Sequence, residues 1–248
     1  MSELTKKVAI VTGSSHGIGA GIAKALAAAG ASVVVNYNSS KERGEAVVAA
    51  ITKVGGKAVL VGGDVSKKDN AEALVNAAIK HFKRLDIVVN NAGIAEFVPL
   101  EAVTEEHYRR IYDTNVLGPL LVTQAALKHL GEGAVIINIG SIATEFAPPG
   151  SSVYTGTKGA IDGFTSVLAN ELGPRKIRVN SLKPGMIATE TSVAGGVPES
   201  DFGKAVIAKT PLGRIGKVEE IGNVAVFLAS DNSRWITGTH LNVAGGFK

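Results

Sequence analysis

Cysteine is absent from this 248-residue chain, which excludes disulfides and thiolate metal sites and leaves the redox compartment undetermined. The five histidines show no close ligand pairing, so no metal site is expected. No apolar run reaches membrane-spanning length, and the opening Met1–Lys7 segment lacks the apolar core of a signal peptide. A basic block is also missing: acidic and basic residues are interspersed, so a net charge of +4 does not point to nucleic acid. Neither linker, low-complexity tract nor internal repeat divides the chain. These absences predict one soluble cytoplasmic domain without nucleic-acid or membrane partners.

What the chain does have is alternation. Short, nearly continuous apolar runs at Lys7–Val11, Ser32–Tyr37, Ala58–Gly62, Ile87–Asn90, Ala134–Ile139, Arg178–Leu182 and His240–Val243 read as strands. Longer stretches at Gly17–Ala29, Lys41–Val54, Lys68–Phe82, Glu105–Leu130, Ser152–Leu172 and Val218–Ala229 read as helices. Apolar strands alternating with helices predict an α/β fold, a single doubly wound domain whose seven-stranded parallel sheet is flanked by helices. A hydrophobic content of 45% supports the core this requires. Thr189–Pro211 is less periodic and rich in Gly, Ser and Pro, and it predicts a mobile substrate lid.

Val8–Val11 leads into Thr12-Gly-Ser-Ser-His-Gly-Ile-Gly19, and a helix pattern follows. Gly13, Gly17 and Gly19 let the backbone turn tightly and approach a pyrophosphate, while the helix N-terminus presents unpaired N–H groups to that anion. An ordinary strand–helix turn uses similar glycines; the strand before and the helix after favour a dinucleotide. NAD sites usually place an acid at the end of the next strand. This chain has Asn36-Tyr-Asn-Ser-Ser-Lys41 there, with no acid before Glu42. Asn36, Asn38, Ser39 and Ser40 can donate to a 2′-phosphate that an acid would repel, and His16 and Lys41 add positive charge. The expected coenzyme is NADP(H), although the same residues suit a polar turn and helix cap.

Ser141 is followed by Tyr154 and, four residues later, Lys158. On a helix, residues i and i+4 share a face, so the Lys158 ammonium is expected beside the Tyr154 phenol. A neighbouring cation favours phenolate and brings tyrosine toward the working range of an acid–base catalyst. Ser141 supplies a second hydrogen bond to the same substrate oxygen. The pattern suits proton exchange with a carbonyl or alcohol, but Tyr-x-x-x-Lys also occurs in helices as a solvated pair.

Thr12–Gly19, Asp64-Val65, Asn90-Asn-Ala-Gly93, Asn115, Ser141, Tyr154/Lys158 and Pro184-Gly-Met-Ile187-Ala-Thr189 appear together in one order and spacing. In these segments the chain strongly resembles the short-chain dehydrogenase/reductase family, over nearly all of its length. The resemblance implies one Rossmann-type domain over residues 1–248, with Asn115, Ser141, Tyr154 and Lys158 as the catalytic tetrad. It implies a cofactor site built from Gly13, Ser15, His16, Gly17, Ile18 and Gly19 in the turn and from Asn36, Tyr37, Asn38 and Ser39 at the strand end. Asp64 and Val65 would hold the adenine, Asn91, Ala92 and Gly93 would line the cofactor, and Pro184, Gly185, Ile187 and Thr189 would bracket the nicotinamide. Lys158 would also bond the nicotinamide ribose beside Tyr154, and Asn115 would anchor a proton relay to Lys158. Many NADP-dependent members have arginine at the His16 position, while Asn36–Ser39 looks like fungal naphthol reductases. The implied activity is NADPH-dependent reduction of a carbonyl to a secondary alcohol, in a homotetramer. Alternatives are a 3-oxoacyl-acyl-carrier-protein reductase, with Arg109/Arg110 and Lys128/His129 as a docking patch, a sugar dehydrogenase, and an NADP-binding sensor.

Overall fold

The computed structural model describes residues 3–248; Met1 and Ser2 of the opening segment lie outside them. In chain order the strands are β1 (Val8–Val11), β2 (Ser32–Tyr37), β3 (Lys57–Gly62), β4 (Ile87–Asn90), β5 (Val135–Ile139), β6 (Arg178–Pro184), the short β7 (Ile187–Ala188) and β8 (Gly216–Lys217), and β9 (His240–Val243). The helices are α1 (Gly17–Ala28), α2 (Lys41–Lys53), α3 (Lys68–Phe82), α4 (Glu105–Tyr112), α5 (Gly118–Ala126), α6 (Ala143–Phe146), α7 (Ser152–Leu172), α8 (Glu190–Ala194), α9 (Asp201–Lys209) and α10 (Val218–Ala229). A seven-stranded parallel sheet runs β3-β2-β1-β4-β5-β6-β9, and β7 pairs with β8 apart from it.

The alternation of side chains across the pleat makes two cores. Ala9, Val11, Val33, Val35 and Ile137 pack with Ile22, Leu26, Ile51 and Leu228 on one face. Val8, Ile10, Val34 and Ile136 pack with Leu74, Val75, Val122 and Leu168 on the other. β1, β4 and β5 are buried along their whole length, with each fully buried aliphatic side chain contributing roughly 2 kcal/mol. Among the described residues, no helix is long and apolar enough to cross a membrane. The strand order reverses between β1 and β4, which opens a crevice at their carboxyl ends, where doubly wound sheets bind ligands.

Two stretches differ from the expected elements. Glu105–Leu130 is not one helix: α4 gives way to a π-helical turn at Asp113–Leu117, and α5 ends at Ala126. Pro119 has no N–H to donate to the Asn115 carbonyl four residues earlier, so the regular ladder fails there. Thr189–Pro211, expected as irregular chain, holds α8 and α9. Thr189 and Ser192 form a capping box, and the Ser200 side chain accepts from the Gly203 N–H, so polar caps supply the helix signals that apolar periodicity lacks.

Candidate active site

The crevice is a cleft of about 500 Å³. Its wall includes Gly13, Ser15, His16, Gly17, Ile18 and Gly19 after β1, Asn38, Ser39 and Ser40 after β2, and Asn91, Ala92 and Gly93 after β4. Ser141, Tyr154, Lys158, Pro184, Gly185 and Thr189 complete it from the other side. Among the described residues no aspartate or glutamate lines this cleft, whereas Lys158 and His16 do.

Backbone geometry at the glycine-rich turn needs its glycines. Gly13 has φ +59°, and a Cβ there would lie 2.8 Å from the Ala92 Cα. The turn is cross-linked: the Thr12 hydroxyl oxygen accepts from the Asn91 and Ala92 N–H groups, both at 2.9 Å. The Asn91 amide donates to the Thr12 and Gly13 carbonyls. At the α1 N-terminus, the Gly17 N–H donates to the Glu190 carboxylate at 3.1 Å. Ile18 and Gly19 carry first-turn N–H groups that lack intrahelical acceptors and line the cleft, as a pyrophosphate would require.

Asn36 does not offer its side chain to a phosphate. It is 2% exposed, accepts from the Gly13 N–H at 2.8 Å and directs its amide toward the Tyr37, Val61 and Gly63 carbonyls. Tyr37, Asp64, Val65 and Ile187 also lie outside the cleft wall. Tyr37 and Lys41 face a neighbouring groove, and Lys41 pairs with Glu45. The Asp64 carboxylate accepts from the Ser66 N–H, Val65 packs against Gly118, and Ile187 is buried in β7. The strand-end neutrality is thus displayed by Asn38, Ser39 and Ser40.

The four tetrad residues converge. Asn115, in the π turn, exchanges hydrogen bonds with Ile94 in both directions (2.8 and 2.9 Å) and donates to the Thr157 hydroxyl at 3.1 Å. A Cβ on Gly93 would sit 3.3 Å from Asn115 Oδ1 and 3.7 Å from Lys158 Nζ, so these two residues meet behind the β4 turn. Lys158 is 6% exposed and donates to the Ile139 carbonyl at 2.8 Å. Ser141 stands near enough to the Tyr154 phenol to act on it as a hydrogen-bond donor, and the Phe97 ring lies 5.9 Å from the tyrosine ring.

The Tyr154 phenol is shifted opposite to the direction expected from a neighbouring cation, because burial prevails. Lys158 Nζ lies over the tyrosine ring, 5.7 Å from its centroid. Burial pushes the Tyr154 phenol up from its ordinary value, and the Ser141 hydrogen bond opposes this only in part. Burial also draws Lys158 down to about 8, with Asp162 pulling the other way. At neutral pH the tyrosine is therefore a protonated acid, and the lysine remains mostly an ammonium. Ile94, Ala95, Thr114, Ile139, Gly140 and Thr191 also line the cleft, although ordinary loop chemistry in the sequence does not single them out.

Fold and cleft together fit a dinucleotide-binding oxidoreductase scaffold with a serine, a tyrosine and a lysine at its crevice. A family model described as enoyl-(acyl carrier protein) reductase matches residues 13–248. An uncharacterized oxidoreductase of Methylorubrum extorquens is 57% identical over 248 residues, covering 100% of both chains. A hydroxynaphthalene reductase-like protein of Metarhizium robertsii is 40% identical over 254 residues, covering 98% of this chain and 95% of that one. A short-chain dehydrogenase of Burkholderia cenocepacia, solved with NADP, superposes with a TM-score of 0.93 at 36% identity, covering 98% of each chain. The angucycline C-6 ketoreductase LanV, solved with bound NADP, has a TM-score of 0.93 at 33% identity, covering 99% of this chain and 96% of that one. The protein belongs to the short-chain dehydrogenase/reductase family.

Proposed function

We propose that the protein reduces a ketone to a secondary alcohol with NADPH, and runs the reverse reaction with NADP. The observation that carries this reading is Ser141, Tyr154 and Lys158 together in one cleft whose described wall holds no carboxylate. A nicotinamide coenzyme held against Pro184, Gly185 and Thr189 would supply the hydride for the carbonyl carbon. Tyr154 donates its proton to the developing alkoxide, Ser141 hydrogen-bonds the same oxygen, and the Lys158 cation stabilises the phenolate left behind. Neutral Asn38, Ser39 and Ser40 favour a coenzyme with a 2′-phosphate, and the NADP-bound relatives support that choice.

Phe97 beside Tyr154, and the cluster in which Val206 of α9 packs with Ile142, Phe146, Met186 and Phe247, favour an apolar ketone over a sugar. The names of the hydroxynaphthalene reductase-like relative and the angucycline ketoreductase favour a ring-bearing one. An acyl-carrier substrate is disfavoured, because Arg109 is paired with Glu105 and Arg110 with Glu96, which leaves only Lys128 and His129 of the basic docking patch. A sensor without activity has no need of the assembled tetrad. Residues 189–211 act as the lid, and half-exposed Tyr108, Leu120 and Val167 on α4, α5 and α7 supply apolar surface for a homotetramer. The test is NADPH oxidation by purified protein with cyclic ketones, β-keto esters, acyl thioesters and sugars. Cyclic ketones should be turned over fastest; a preference for acyl thioesters, or no ketone turnover, overturns the assignment.

A further inference from the structure

Behind the active site lies a second group of charges that the reaction above leaves unused. Lys183, in β6, is 4% exposed, and a buried ammonium is costly unless paired. Its Nζ lies 2.9 Å from Glu145 Oε1 in α6 and 3.4 Å from Asp162 Oδ2 in α7. Asn242, in β9, donates to the other Glu145 oxygen at 3.0 Å. Ser181 donates to Asp162 Oδ1 at 3.1 Å, and His240 Nδ1 stands 3.8 Å from that oxygen.

Gly140 is the wall between this cluster and the reacting groups. A Cβ on Gly140 would lie 2.6 Å from Ser181 Oγ, 2.8 Å from Lys183 Cγ and 3.3 Å from Asp162 Oδ1. On either side of Gly140 in sequence, Ile139 accepts from Lys158 and Ser141 acts on the Tyr154 phenol. Asp162 follows Lys158 by one turn of α7, which sets both on one helix face. Glu145 belongs to the short helix after Ser141, and Lys183 directly precedes the Pro184–Gly185 corner of the cleft.

We propose that Asp162, Lys183 and Glu145 are positioning residues: Asp162 holds Lys158 as an ammonium, Lys183 tempers that pull, and Glu145 ties the Ser141 turn to the sheet. For its effect on rate the proposal rests on the reaction assigned above; for its effect on Lys158 it does not. Asp162 is the charge that opposes the burial of Lys158. The titratable groups around the pair are Tyr154 on α7, Lys183 from β6, Glu145 from α6 and His240 from β9, with Lys248 acting on Glu145. Removing the Asp162 charge leaves burial unopposed. Removing Lys183 leaves the carboxylate unshielded. The two changes therefore move Lys158 in opposite directions, which a purely structural cluster would not do.

The experiment titrates the Lys158 Cε by carbon-13 NMR in the full-length protein, assigned by loss of its signal in Lys158→Met, and records the pH profile of ketone reduction alongside. In Asp162→Asn the midpoint should fall by about one pH unit, and in Lys183→Met it should rise comparably, with the alkaline limb of kcat following each. Should Lys183→Met not fold, the isosteric Asp162→Asn decides alone. An unmoved midpoint in Asp162→Asn overturns the proposal, and so does lost activity with an unmoved pH profile. A shifted midpoint in a protein that reduces no ketone upholds the cluster and removes the assigned reaction instead.

Discussion

The glycine-rich turn and the Thr189–Pro211 segment face one cleft but are built differently. The turn is held by redundant backbone bonds through Thr12, Asn36 and Asn91. The opposite segment consists of two short helices closed by hydroxyl caps; α9 buries only Gly203 and Val206, while Val193 and Phe202 stand about half-exposed. A backbone that must present N–H groups to one coenzyme cannot shift without losing them. A surface that meets the substrate tolerates looser anchoring, and low burial gives it lower local stability. Glu190 joins the two regions through its bond to Gly17.

The largest effect expected lies between the regions. Tyr154→Phe should reduce turnover by about a thousandfold, the range of a lost general acid, while NADPH fluorescence titration gives an unchanged affinity. Lost binding would show that the phenol serves the coenzyme rather than the proton.

Paired glycine changes break the comparison most directly. Gly13 and Gly196 both have left-handed backbones, with φ +59° and +65°, but only Gly13 has a neighbour that a Cβ would strike. Gly196→Ala should cost about 1 kcal/mol by urea unfolding, the price of the backbone conformation alone. Gly13→Ala should cost about 3 kcal/mol and weaken NADPH binding. Equal costs would mean that the turn is no more tightly held than the lid.

Coenzyme choice should change about tenfold, which corresponds to roughly 1.4 kcal/mol. Asn38→Asp is expected to lower kcat/KM for NADPH relative to NADH by that amount. Asn36→Asp is the poorer test, because its carboxylate would face the Tyr37, Val61 and Gly63 carbonyls and destabilise the fold.

A comparable change is expected with pH. Lys158 titrates at about 8 and is charged below that value, so ketone reduction should be level at lower pH and fall about tenfold between pH 7 and 9. Tyr154, shifted upward, stays protonated across this window and contributes no limb there. A rate that rises through pH 8 would reverse the assignment of the two groups.

The smallest effect is dynamic. Hydrogen exchange in residues 189–211 should slow several-fold on adding NADPH and a ketone inhibitor, while the turn after β1 changes less. Equal protection with and without ligand would remove the lid.

The sheet was legible in the sequence because β1, β4 and β5 are buried on both faces, and such strands read as nearly continuous apolar runs; the exceptions, Asn90 and Asn138, are hydrogen-bonded to each other. Tyr154, Lys158 and the glycines were legible because i,i+4 spacing and tight turns are local properties of the chain. The break in the Glu105–Leu130 helix was readable from Gly118-Pro119, but apolar periodicity on both sides concealed it.

Position along the chain does not reveal how far a side chain reaches or what surrounds it. Only the packed structure turns the Asn36 amide inward, sets Lys158 over the tyrosine ring and gathers Glu145, Asp162 and Lys183 from three elements. The sign of the Tyr154 shift was decided the same way. A neighbouring cation and burial act in opposite directions on a phenol, and which prevails depends on distances and desolvation that exist only once the chain has folded.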